Sequence, residues 1–215
     1  MSPTVSVVMT TYKRDRQLWR SLLSVHGADE IIVVDDANDP ATERLCRDMA
    51  TYIPRLGRPD VPYSNPAVPI NIGLSAAKGD IVVLQNAECE HLSDVTEQFR
   101  ICVREGVCSF AKVASLRQDG SFDSWYCSPE TQRPYFFCGA MLRKHFLELG
   151  GMDEAFVGPG YEDDDFAARM QKAGIRFDFS DTIRVNHQWH ERDQGSPAIN
   201  QQLFHQKHGA IGWSV

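Results

Sequence analysis

Three short runs constrain this chain most: Val5-Ser-Val-Val-Met9, Ile31-Ile-Val-Val34 and Ile81-Val-Val-Leu84. The second and third are apolar throughout, as expected of strands covered on both faces. Between the first two, Leu18, Trp19, Leu22, Leu23 and Val25 recur at helical spacing. A second helix is predicted to start at Pro40, which suits a first helical position, and to turn Leu45 and Met49 inward. Strand, helix, strand, helix is the opening of a parallel α/β sheet. A length of 215 residues suits one domain, or one with a small appendage.

Five of the eleven prolines fall at Pro54, Pro59, Pro62, Pro66 and Pro69, which predicts a loop over 54–69. A short helix is expected over 71–78, ended by Gly79. Ser93 can cap a helix with Val95, Phe99 and Cys102 or Val103 inside and Gly106 as its stop. A strand is expected over 107–116 and a polar loop with exposed aromatics over 118–134. After the apolar stretch 135–141, helices are expected over 144–149, 162–173 and 197–208. Two further strands are expected at 177–179 and 183–185. No internal repeat or low-complexity tract interrupts the chain.

Charge narrows the function. The chain carries 22 Lys+Arg against 29 Asp+Glu, a net charge of −7, which argues against a general binder of nucleic acid or anionic membrane. No apolar run approaches the roughly 20 residues needed to span a bilayer, and the N-terminus reads as a strand rather than a signal peptide. The six cysteines form no CxxC pair and are expected to be reduced thiols in a cytoplasmic protein. Oligomeric state is not legible.

Polar and acidic residues collect where strands end, the place where an open parallel sheet binds its ligands. They are Thr10-Thr11-Tyr12, Asp35-Asp36 and Asn86-Ala87-Glu88, joined by Glu162-Asp163-Asp164-Asp165 and His187-Gln-Trp-His190. Neither GxGxxG nor GxxxxGK[ST] is present, so a nucleotide here would be held through carboxylates and a metal rather than a glycine cradle. Glu88 and His187 offer an oxygen and a nitrogen ligand, a sparse set suited to Mn²⁺ or Mg²⁺ completed by a diphosphate.

The run from Val5 to Arg14, then Ile31-Ile-Val-Val-Asp-Asp-Ala-Asn38, then Asn71-Ile-Gly-Leu-Ser-Ala-Ala-Lys-Gly-Asp80 resembles the nucleotide-sugar half of family 2 glycosyltransferases. Gly139 to Glu154 and Gly160-Tyr-Glu-Asp-Asp-Asp-Phe-Ala-Ala-Arg169 resemble the acceptor half, shared with β-1,4-galactosyltransferases and polypeptide N-acetylgalactosaminyltransferases. The resemblance covers roughly residues 4 to 190. It implies a single GT-A domain with a Rossmann-like, mixed but mostly parallel α/β sheet. Residues 1–90 would bind the nucleotide sugar, 107–195 would form the acceptor and catalytic half, and 196–215 a C-terminal helix and tail. The implied activity is metal-dependent, inverting transfer from a nucleoside-diphosphate sugar, with UDP as the expected nucleotide, to a glycan or other hydroxyl-bearing acceptor.

The resemblance also implies roles. Thr10 and Tyr12 would line the uridine pocket, and Asp35 or Asp36 would take the base or ribose. Asn71 and Gly139 would lie against the nucleotide sugar. Asn86-Ala87-Glu88 stands where the family carries Asp-x-Asp, so Asn86 would serve ribose or phosphate and Glu88 alone the metal. His187 would complete the metal shell, with His190 as a substitute. Asp163 would be the general base and Glu162 would hydrogen-bond sugar or acceptor. Crowded carboxylates there should raise at least one pKa.

Plainer readings stay open beside these. Asp35-Asp36 could cap a turn, Asn86-Ala87-Glu88 could be an ordinary strand end, and the acidic run could only favour a helix N-terminus. Gly139 could be strand punctuation. Trp125, Tyr126 and Tyr135 could be an acceptor platform or packed loop residues. Two other functions stay open as well: a nucleotide-sugar-binding protein without turnover, and a sugar nucleotidyltransferase, whose glycine-rich basic loop is missing.

Overall fold

A computed structural model describes residues 2–56, 65–158, 160–191 and 197–209. Pro59 and Pro62 of the expected loop, and the end of the tail at 210–215, lie outside them. The chain runs β1 (Val5–Thr11), α1 (Asp15–Ser24), β2 (Glu30–Asp35), α2 (Pro40–Cys46), β3 (Thr51–Pro54), α3 (Ala67–Ala76), β4 (Ile81–Asn86), β5 (Cys89–His91), α4 (Val95–Cys102), β6 (Val107–Leu116), β7 (Phe122–Cys127), β8 (Cys138–Leu142), α5 (Arg143–Glu148), α6 (Glu162–Lys172), β9 (Arg176–His187) and α7 (Pro197–His208).

The strands form one sheet in the order β3-β2-β1-β4-β8-β6-β9-β5, with β7 on β6. β3, β2, β1 and β4 are parallel, and β8 runs antiparallel to both β4 and β6. β1 is covered on both faces, which explains its buried run. Ser21 of α1 reaches Met9, whereas a Cβ on Gly73 of α3 would meet Val8. Adjacent strand residues point to opposite faces, so the two helices flank the sheet. Gly73 allows the close approach of α3: an added Cβ would also come within 3.2 Å of Val34.

Register brings the strand ends level. Thr10 pairs with Val34 and with Asn86, and Thr11 pairs with Asp35. On the other half of the sheet, β5 pairs with β9 so that Cys89 stands opposite His187. This short pairing joins the turn after β4 to the end of β9.

Several boundaries differ from the sequence expectation. α3 starts at Ala67, inside the expected proline-rich loop, because Pro69 sits in its first turn, where no intrahelical N–H is required. β3 also enters that range. The expected loop 118–134 contains β7, whose first four residues are exposed and therefore show no alternation of burial. The two strands expected at 177–179 and 183–185 are one strand, β9, whose register on β6 shifts between Phe110 and Lys112. Asp94, not Ser93, is the N-cap residue of α4. All six cysteines are free, and five are buried.

Candidate active site

The turn after β4 is held rigidly from below. Gln85 is buried and donates to Ser21 Oγ and to the Cys89 carbonyl, while its Oε1 lies 2.7 Å from Nε2 of buried His91. Burial pushes His91 down to about 4, so the ring is neutral at physiological pH. The Glu88 carbonyl accepts from the backbone N–H and side-chain amide of Gln188. These bonds orient Glu88 toward the end of β9.

There Glu88, His187 and His190 each offer a ligand atom, and these atoms all lie within 4.8 Å of one another. No other such cluster occurs among the described residues. Nδ1 of His190 lies 2.7 Å from the Glu191 carbonyl. A proton on Nδ1 donated to that oxygen leaves Nε2 a lone pair, 3.8 Å from Glu88 Oε1. One carboxylate and two imidazoles are a donor set that fits a divalent transition metal. His190, the substitute in the sequence reading, therefore stands with Glu88 and His187 rather than in place of either. Arg14 also belongs to this cluster, with Nε 3.3 Å from Glu88 Oε1. Sequence reading missed it, since nothing local in Thr-Tyr-Lys-Arg signals a partner on the β4 turn.

The first turn of α6 carries Glu162, Asp163, Asp164 and Asp165. Tyr161, just before it, takes a left-handed conformation at φ 70°, uncommon for a residue with a side chain. Together with Gly160, at φ 107°, it turns the chain sharply into the helix. Desolvation pushes the Glu162 carboxyl up to about 7, assisted by Asp164 and opposed by bonds from the backbone N–H groups of Glu162 itself and Gly160. Asp163 is raised well above the usual aspartate range, by desolvation first and then by repulsion from Glu162 and Asp164. Asp164 is raised by desolvation, against a hydrogen bond from Tyr135. Asp165 is different: it is fully buried and paired with Arg169 and His208.

A three-residue strap joins the two clusters. Its Phe137 carbonyl accepts from Asn86 N at 3.1 Å, and the Phe137 ring packs edge-on to His187 at 5.2 Å. Phe136 N reaches Asp163 Oδ1 at 3.5 Å, the limit of a hydrogen bond. Tyr135, adjoining, contacts Asp164. Tyr126 stacks on Phe137 and meets the edge of His187.

The remaining predicted residues have visible partners. Thr10 and Tyr12 lie at the end of β1, partly exposed, with Lys13 over the Tyr12 ring. The neighbouring Thr11 hydroxyl is buried with no partner among the described residues. Asp35 is fully buried and accepts from Ala37 N, Asp39 N and Tyr52 Oη, which shapes the turn into α2. Asp36 pairs with Arg55 at 2.5 Å. Asn71 bridges α3 to the Gly-Gly turn, accepting from Met152 N and donating to the Met152 carbonyl and to Glu154. Gly139 is buried, and the space a Cβ would need is filled by Phe110 and Phe136. The structure brings Glu88 to His187 and Asp163 to Glu162, while Asp35, Asn71 and Gly139 sit in structural contacts.

Residues 6–123 match the model of glycosyl transferase family 2. The chain belongs to this family. Residues 126–191 of this family 2 chain match a second model, described as the N-terminal domain of galactosyltransferase. Among solved structures, the fold is similar to the mannosyltransferase PcManGT from Pyrobaculum calidifontis in complex with GDP-Man and Mn²⁺. The TM-score is 0.63 at 20% identity, covering 86% of this chain and 57% of the other. It is also similar to GalNAc-T7 with UDP, GalNAc and Mn²⁺, with a TM-score of 0.69 at 17% identity over 95% of this chain and 48% of the other. The sheet is thus that of the GT-A fold. Uncharacterised proteins of Mycobacterium bovis and Mycobacterium tuberculosis are 27% identical over 161 residues, or 69% of this chain. The chain spans about half the length of these relatives, 46%. Among the described residues, no helix is long and apolar enough to cross a membrane.

Proposed function

We propose that this chain transfers a sugar from a nucleoside-diphosphate sugar to an acceptor hydroxyl with inversion at the anomeric carbon. The observation that carries the reading is the Tyr135–Phe137 strap. Phe137 abuts His187 and the β4 turn, Phe136 reaches Asp163, and Tyr135 meets Asp164. Donor leaving group and acceptor base then work on either side of one short segment.

Glu88, His187 and His190 would hold the metal. Two imidazoles favour Mn²⁺ over Mg²⁺, which prefers oxygen. When bound, the ion supplies positive charge against the diphosphate leaving group. Asn86 is neutral, but its position at the end of β4 suits a contact to ribose or phosphate. The Thr11 hydroxyl, lacking a partner, supports a polar ligand at the end of β1.

Asp163 takes the proton from the acceptor hydroxyl as that oxygen attacks the anomeric carbon. Its raised affinity for a proton makes it a stronger base than an exposed aspartate. Glu162 hydrogen-bonds the sugar or acceptor. UDP is the expected nucleotide, although the two structural neighbours carry different ones. Six free cysteines support work in a reducing, cytoplasmic setting.

Asp163→Asn tests this assignment. Transfer should fall at least about 10³-fold, within the range expected for a lost general base together with its charge, while donor binding stays within about twofold of wild type. Undiminished transfer in Asp163→Asn would remove Asp163 from the mechanism.

A further inference from the structure

Arg14 holds the carboxylate that the metal would need. Its Nε stands 3.3 Å from Glu88 Oε1. Its Nη2 donates to the Glu191 carbonyl at 3.0 Å. Both side chains are largely enclosed, Arg14 at 20% exposure and Glu88 at 11%. An arginine stays charged at every physiological pH. A permanent cation therefore neutralises Glu88 and closes one side of the triad.

A divalent ion on Glu88 would stand close to the guanidinium, and the two cations repel. That repulsion favours withdrawal of Arg14 when the metal enters. Leaving a partly buried ion pair is costly unless the guanidinium finds another anion. The nucleoside-diphosphate donor brings one, and a guanidinium fork matches phosphate oxygens in a bidentate way. Arg14 is the N-cap residue of α1, just past the end of β1, and that end is level with the ends of β2 and β4, where a nucleotide would lie.

We infer that Arg14 is an internal counter-cation that competes with the metal for Glu88 and is transferred to the donor diphosphate when both ligands are present. It rests on the donor reading above and adds a coupling device to it. Metal alone binds weakly, diphosphate alone leaves Arg14 divided between two anions, and the two together relieve the competition.

The test is Mn²⁺ binding, followed by loss of the free-ion electron paramagnetic resonance signal, with and without UDP and GDP. In wild type, one of the diphosphates should tighten Mn²⁺ binding about tenfold or more. Arg14→Gln should bind Mn²⁺ alone about threefold tighter or better, and the gain from the diphosphate should shrink by a similar factor. Arg14→Lys retains the competing charge and should bind Mn²⁺ alone as wild type does, which keeps the test open if the Gln variant fails to fold.

Arg14→Gln with unchanged or weaker binding of Mn²⁺ alone would overturn the proposal, as would an Arg14→Lys protein that binds Mn²⁺ alone more tightly than wild type. Wild-type protein that binds neither Mn²⁺ nor either diphosphate would overturn the donor reading itself, and this proposal with it.

Discussion

Glu162 illustrates how burial sets the charge and the stability contribution of a single residue. Its carboxyl moves from an ordinary 4.5 to about 7 because burial disfavours the charge. The folded protein thus holds this proton more tightly than the unfolded chain does. The stability it contributes is complete below pH 4.5, declines as pH rises to about 7, and is level above that. Glu162→Gln removes the charge and keeps an acceptor for Gly160 N. At pH 8 the variant should be more stable than wild type by about 1–3 kcal/mol, a value reduced for partial solvent exposure. The advantage should vanish near pH 4.5. Thermal melts at both pH values check this, and an equal difference at the two would contradict it. The raised carboxyls of Glu162 and Asp163 titrate as a pair. The initial rate of transfer should accordingly rise with pH through neutrality rather than level off near pH 5.

At the scale of elements, α6 is aimed by α7. Asn200 of α7 is fully buried; its amide donates to the carbonyls of Val157 and Gly160, and its oxygen accepts from Val157 N. Phe204 packs with Phe156 and Ala168, and His208 binds Asp165 at 2.7 Å. These contacts hold the left-handed turn at Gly160–Tyr161 that starts α6. Asn200→Ala leaves several backbone groups without partners and should destabilise the fold by about 2–4 kcal/mol. It should also lower kcat severalfold with little change in donor affinity, because the turn positions Asp163 and not the donor site. Denaturant melts and steady-state kinetics at one temperature check both; a loss of donor affinity alone would contradict this role.

The elements also reveal what the sequence could disclose. β1, β2, β4 and α6 were legible because their burial imposes runs or helical spacing. β5 was not, since three residues carry no period, yet its pairing brings His187 to the β4 turn. β7 was hidden by its exposure. The start of α3 was hidden by prolines that a first helical turn tolerates, while its later residues were expected as a helix. Glu88, His187 and Asp163 could be named from motif order. The pairing of Arg14 with Glu88 and the contribution of His190 depend on tertiary proximity, which no local pattern encodes.

Across the whole molecule, the segments that follow the strands gather the candidate ligands, and α6 adds the carboxylates. Arg14 stands at the start of α1 and Glu88 in the turn after β4, the end of β9 and the residues after it deliver His187 and His190, and the strap before β8 connects them to α6. The proposed donor site would need metal and diphosphate together. Isothermal calorimetry against UDP, GDP, CDP and dTDP, each with Mn²⁺ and again with EDTA, tests that claim most directly. Saturable binding of one nucleotide with Mn²⁺, lost in EDTA and weakened about tenfold or more in a His187→Ala variant, is the predicted result. Binding of none of the four, or binding that is indifferent to EDTA and to His187→Ala, would contradict it.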